Sequence, residues 1–244
     1  MRRREFFVAG STAAAVMVTT NIIPKTSISL TAPSELSDVN KLTPSKDGPM
    51  NVAFAISRGA TMIDFAGPWE VFQDVMLKPS KSEGSMRHPF NLYTVSETSA
   101  PIQASGGMKI VPDYTFETAP APKVVVIPAQ AGSPALHAWL RKNLDSTDVT
   151  MSVCTGAFQL GRAGLLSGKE ATTHHDFFEQ FAEAFPDVKL KRGLRFVEGP
   201  KISTAGGLTS GIDLALRVVE RYFGRETAEQ TAFYMEYQSK GWIV

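Results

Sequence analysis

From Asn51 onward the chain alternates short, unbroken apolar runs with longer stretches in which apolar residues recur every three or four positions. The first run is Val52-Ala-Phe-Ala-Ile56, ended by a turn at Ser57-Arg-Gly59. A helix is predicted from about Pro68, because Trp69, Val71, Phe72, Val75 and Met76 fall at helical spacing. Phe90-Asn-Leu-Tyr-Thr-Val95 reads as a strand, and the Gly106-Gly107 region with Lys109-Ile-Val111 as a strand pair or turn. Lys123-Val-Val-Val-Ile127 is the strongest strand signal, a β-branched run of the kind buried in a parallel sheet. Ser133-Pro134 offers an N-cap and first-turn proline for a helix to about Asn143. Val149-Thr-Met-Ser-Val153 is a further strand, running into a helix that begins at Thr155-Gly156-Ala157-Phe158. A short strand at Ala171-Thr-Thr173 and a helix from Asp176 to Phe185, stopped by Pro186, come next. Arg195-Phe-Val197 and Lys201-Ile-Ser-Thr204 read as a strand pair turning at Glu198-Gly-Pro200. Two helices, Leu208 to Phe223 and Glu226 to Gln238, flank Gly224.

Alternating strands and helices with apolar strands predict helices on both faces of a mostly parallel sheet. Ligands of such sheets sit at the carboxyl ends of the strands, which is where the chain's single cysteine, Cys154, falls. Ser152-x-Cys154-x-Gly156 keeps small residues on both sides of the thiol, the pattern of a nucleophile elbow. The helix N-terminus after it is expected to lower the thiol pKa. The plainer alternative is a buried cysteine acting as a small hydrophobe.

Three other positions could reach the elbow. Asp64, just past the first strand among apolar neighbours, is expected to be desolvated with a raised pKa, and so able to pass a proton; the alternative is a helix cap or Asx turn. His174 follows the thiol by enough chain for a helix and a return strand, and is either aimed at sulfur or a satisfied core histidine. Thr155 either bonds substrate or caps the helix, with capping the simpler expectation. No metal site is read, since His88, His137, His174 and His175 lack carboxylate or thiol partners at zinc spacings. Gly206-Gly207-Leu-Thr-Ser-Gly211 matches neither a P-loop nor a dinucleotide fingerprint, and reads as a turn and helix start near the elbow.

Composition refines the picture at the N-terminus. Arg3-Arg4-Glu5-Phe6-Phe7 ahead of a weakly apolar stretch to Ile23 resembles a twin-arginine export signal, assigned to residues 1–30; an uncleaved membrane anchor is the rival reading. Residues 31–49, rich in Ser, Thr, Pro and Asp, read as a flexible linker, and residues 50–244 as one α/β domain. A periplasmic or secreted location follows, with no stable membrane association after signal removal. With a formal charge of +1 and an excess of arginine in the leader, the remainder carries no basic face for nucleic acid.

Taken together, Ile63-Asp64-Phe-Ala-Gly67-Pro68-Trp-Glu70-Val71-Phe72, Ser152-Val-Cys154-Thr155-Gly156-Ala-Phe, Ala163-Gly-Leu-Leu, Ala171-Thr-Thr-His174 and Thr204-Ala-Gly-Gly-Leu-Thr-Ser-Gly-Ile-Asp213 resemble the ThiJ/PfpI superfamily, within the class I glutamine amidotransferase-like proteins. The chain is most similar to its isonitrile hydratase branch and to the sensor domains of AraC-type regulators. The resemblance implies a flavodoxin-like three-layer sandwich, a homodimer, a small-molecule substrate, no cofactor, and a cysteine nucleophile with an acid from the first loop. By position these are Cys154 and Asp64, with Thr155 beside them and Gly67, Ala129, Gln130, Gly156 and His174 around the substrate. Protease-like members carry a His directly after the cysteine, where this chain has Thr155, so peptidase activity is not expected. A regulator is not expected either, because the sequence ends at Val244 without a DNA-binding helical region. The expected reaction is hydration of an isonitrile to an N-substituted formamide; chemistry on another small electrophile such as a dicarbonyl aldehyde, or a ligand-binding or redox-sensing module, are the alternatives.

Overall fold

The computed structural model describes residues 40–78 and 86–244. The expected export signal and the linker up to residue 39 lie outside these. In chain order the elements are β1 (Met50–Ala55), α1 (Met62–Gln73), β2 (Phe90–Ser96), β3 (Ile102–Gln103), β4 (Lys109–Ile110), β5 (Tyr114–Thr115), β6 (Val124–Ile127), α2 (Pro134–Asn143), β7 (Val149–Ser152), α3 (Gly156–Arg162), β8 (Glu170–Ala171), α4 (Phe178–Ala184), β9 (Lys189–Leu190), β10 (Phe196–Val197), β11 (Ile202–Ala205), α5 (Ser210–Phe223) and α6 (Arg225–Tyr234). Among the described residues no helix is long and apolar enough to cross a membrane.

Seven strands form one sheet in the order β10-β11-β7-β6-β1-β2-β5. Every neighbouring pair is parallel except β10 with β11. The central strands read as continuous apolar runs because both of their faces are covered. Val52, Phe54, Val124 and Val126 pack with Val71, Phe72, Leu214 and Val218 of α1 and α5. Ala53, Ala55, Val125 and Ile127 point the other way, toward Leu136 and Trp139 of α2, Leu160 of α3 and Phe181 of α4. The result is the flavodoxin-like sandwich. Ser133 caps α2 as expected, its hydroxyl accepting from Leu136 N–H at 3.1 Å.

Two expectations are corrected. Helix α1 begins at Met62 rather than near Pro68, and Pro68 lies inside it. The N–H that proline lacks would have reached the carbonyl of Asp64. This turn instead sits hard against α5: a Cβ on Gly67 would lie 2.8 Å from Ile212 Cγ1, and one on Gly211 would lie 2.8 Å from Val153 Cγ2 and 3.3 Å from Pro68 Cγ. The early start carries Asp64 into the first helical turn.

The chain from Asn40, expected to be flexible, is held on α5. Asn40 donates to Glu198 at 2.7 Å and accepts from Arg221 Nε at 2.8 Å, while Leu42 N–H donates to the carbonyl of Arg221 at 2.9 Å. A Ser/Thr/Pro-rich composition correctly indicates irregular backbone here, but irregular backbone can still be anchored by buried partners.

Candidate functional site

The register of the sheet brings four loops to one edge. Ile127 of β6 pairs with Ser152 of β7, and Thr204 of β11 pairs with that same Ser152, so the loops after these strands and after β1 emerge side by side. Their backbones then lock together. Thr61 N–H donates to Ala129 O at 2.9 Å, Val153 N–H to Ile127 O at 2.9 Å, and Cys154 N–H to Gly206 O at 2.7 Å.

Cys154 occupies the sharp corner between β7 and α3 with φ 58°. That left-handed backbone costs a residue with a Cβ about 1–2 kcal/mol, and it turns the thiol toward the strand ends. Gly156 makes the corner possible, because a Cβ there would lie 2.2 Å from Ile127 O. Thr173 Oγ1 donates to Cys154 O at 3.0 Å and ties the corner to the segment after β8.

Asp64 is fully buried beside the thiol. Its Oδ2 accepts the Ala129 N–H at 3.0 Å, while Oδ1 has no hydrogen-bond partner among the described residues. Burial pushes the carboxyl up to about 6, against the opposing pull of Ala129 N–H and the Cys154 thiol. The cap of α1 is Thr61, so the capping alternative for Asp64 does not hold.

The thiol departs from expectation. Burial, and then the charge of Asp64, push Cys154 up to about 11, although Thr155 N–H, Leu208 N–H and the Thr155 hydroxyl all favour the thiolate. The helix end does supply donors, but desolvation and a neighbouring carboxylate outweigh them. Between about pH 6 and about 11 the pair therefore holds one proton, carried on sulfur beside the ionised carboxyl.

The remaining candidates fall as follows. Thr155 makes no side-chain cap; its hydroxyl is directed at the sulfur. Ala129, expected around the substrate, has its N–H taken by Asp64 Oδ2. Gln130 turns its amide inward, Nε2 donating to Ala55 O at 2.9 Å, and its own carbonyl accepts from Gln159 Nε2 at 3.0 Å. Gly67 serves the contact of α1 with α5. His174 has its ring against Gly207, its Nδ1 accepts from Asp176 N–H at 3.2 Å, and it is not among the hydrogen-bond partners of the sulfur.

Leu208 is the site residue that sequence reasoning did not single out. It has φ 52° and directs its N–H at Cys154, directly after the Gly206-Gly207 pair. The glycine pair signals a tight turn, but nothing in an apolar side chain signals that its backbone is the working part.

A strained cysteine at a strand-to-helix corner, a buried acid from the first βα turn and two backbone donors on the sulfur are now in place, and the DJ-1/PfpI family model matches residues 50–221. The chain belongs to the DJ-1/PfpI family. Isonitrile hydratase of Pseudomonas putida is 28% identical over 197 residues, covering 77% of this chain and 78% of that protein. The HTH-type transcriptional regulator CdhR of Pseudomonas aeruginosa is 34% identical over 149 residues, covering 59% of this chain. This chain spans only 44% of CdhR's length. The crystal structure of a ThiJ/PfpI family protein from Pseudomonas syringae superposes with a TM-score of 0.68 at 25% identity, covering 87% of this chain and 84% of that one.

Proposed function

We propose that the protein is a cysteine-dependent hydratase that converts an isonitrile to an N-substituted formamide, with Cys154 as nucleophile and Asp64 as acid and base. The observation that carries this reading is the placement of a fully buried carboxyl, with one oxygen that lacks a hydrogen-bond partner among the described residues, beside the thiol at the strained corner. Moving the thiol proton from Cys154 to the Asp64 carboxylate creates thiolate and acid together, without taking net charge from water. The terminal carbon of R–N≡C needs both. Sulfur adds to that carbon as Asp64 delivers the proton to it, giving the thioimidate R–N=CH–S. The Asp64 carboxylate then activates water for addition to the same carbon. Nitrogen gains a proton, the C–S bond breaks, and R–NH–CHO leaves with the thiol regenerated. Thr155 and Leu208 N–H groups stabilise sulfur as it gains and loses charge.

The rim supports an uncharged organic substrate. Met62 and Ile63, in the helical turn that carries Asp64, and Leu208, on the loop after β11, are large apolar residues exposed to solvent. A ligand-sensing role is the second reading, favoured by the likeness to CdhR. The homodimer and the twin-arginine route of export belong to the same proposal, and light scattering of the full chain and export of a leader fusion test them.

Formamide production from a simple alkyl isonitrile by the reduced full chain tests the enzyme reading. Wild type is expected to turn over, Cys154→Ser to be inactive, and Asp64→Asn to lose about 10²–10⁴-fold in rate. Full activity in Cys154→Ser, or no formamide from wild type, would discard it in favour of sensing.

A further inference from the structure

Outside the thiol site, three consecutive residues turn their side chains toward one another. His175 Nε2 lies 3.0 Å from Asp176 Oδ1, and His174 Nδ1 lies 3.7 Å from Asp176 Oδ2. The two imidazole rings stack with centroids 4.4 Å apart and planes 25° apart. One ligand atom from each of the three residues falls within 4.8 Å of the others.

We infer that His174, His175 and Asp176 form a binding site for one divalent transition-metal ion of the zinc type, completed by water. Two imidazole nitrogens and a carboxylate oxygen are a donor set suited to such an ion. In a tetrahedral zinc site, with metal–ligand bonds of about 2.0–2.2 Å, ligand atoms stand about 3.3 Å apart. The two separations run to different oxygens of Asp176, so the exposed His175 and Asp176 side chains must rotate to bring one oxygen and both ring nitrogens onto a single ion.

The three residues differ in freedom in a way that suits capture of an ion. The side chain of His174 is 16% exposed, fixed between Gly207, His175 and the edge of Phe177. His175 and Asp176 are 74% and 67% exposed and can close over an ion arriving from solvent. The bond from Asp176 N–H to His174 Nδ1 is long, at 3.2 Å, and a metal bond would replace it.

Sequence spacing hides this arrangement. In a regular strand, consecutive side chains point to opposite faces. Here His174 is extended (φ −61°, ψ 137°) and the chain enters a 3-10 turn at the next residue, which folds both rings and the carboxylate to one side. The site also lies beside the machinery of the thiol, since Thr173 holds the Cys154 carbonyl and His174 packs on Gly207, next to the Leu208 donor.

Calorimetric titration of ZnCl₂ into the tag-free, reduced full chain, with metal analysis after dialysis, tests the site in wild type, His175→Ala, Asp176→Asn and Cys154→Ser. One zinc per chain is expected in wild type and in Cys154→Ser. Affinity is expected to be weaker by about tenfold or more in His175→Ala and Asp176→Asn. Both altered residues are exposed, so circular dichroism is expected to show the wild-type fold in each. Absence of binding to wild type, equal affinity in those two variants, or loss of zinc in Cys154→Ser would each overturn the assignment. No arm depends on hydratase activity.

Discussion

Cys154 is held in a conformation that its own side chain opposes, and the compensation comes from its neighbours. Its N–H, its carbonyl and its sulfur are each engaged, by Gly206, Thr173 and the Thr155 and Leu208 donors respectively. Because a Cβ at φ 58° is strained, Cys154→Gly is expected to be more stable than Cys154→Ala by about 1 kcal/mol in chemical denaturation, with neither active. Asp64 carries a second local cost. Its carboxyl is raised from 3.8 to about 6, so the native state retains a proton that the unfolded chain has released. The stability this provides is complete below about pH 4 and is lost as pH rises through about 6, a change of about 3 kcal/mol for a shift of this size. Asp64→Asn removes the dependence. Its stability gain over wild type is expected to be near zero at about pH 4 and to reach about 1–3 kcal/mol above pH 7, read from denaturant midpoints. A difference constant across pH would contradict the buried-carboxyl account. At this scale the sequence showed which residue types meet: the small residues around Cys154 and the apolar neighbours of Asp64 carry that information. The direction of the thiol's shift was not legible, because it depends on how deeply sulfur is buried and how close the carboxylate lies.

At the scale of elements, the strands were the most legible feature, and for a physical reason. Val124–Ile127 is buried on both faces, so every position is apolar and the run stands out without periodicity. Helix α1 was harder. Its first two turns hold Asp64, Gly67 and Pro68, all of which argue against helix locally, and the contact with α5 overrides them. The short strands β5 and β9, two residues each, were not legible, since each is defined only by its neighbour in the sheet. The elbow gives the sharpest prediction for elements. In Gly156→Ala the new methyl would lie 2.2 Å from Ile127 O and 2.9 Å from Pro128 O, both backbone atoms with little room to move. The loop after β6 and the corner after β7 would have to separate, at a cost of about 3 kcal/mol or more. Loss of soluble expression or a strongly lowered denaturation midpoint is the expected reading, and a wild-type midpoint would refute the close approach.

Across the whole molecule, the two faces of the sheet do different work. Helix α5, buried along almost its whole length, holds Arg217 against Glu198 at 2.7 Å and Arg221 against Asn40, so it organises both the sheet edge and the incoming chain. The elbow and its loops stand at the end of that rigid frame, which fixes the thiol and the carboxyl relative to each other. The presence of one cysteine in 244 residues gives a direct experiment, because alkylation reads a single group. The decisive measurement is the pH dependence of Cys154 alkylation by iodoacetamide in wild type and Asp64→Asn. If the two side chains share one proton, removing the carboxylate charge moves the midpoint of the Asp64→Asn profile to lower pH by about one unit or more. Superimposable profiles would show that Asp64 does not act on the thiol and would contradict the catalytic pair.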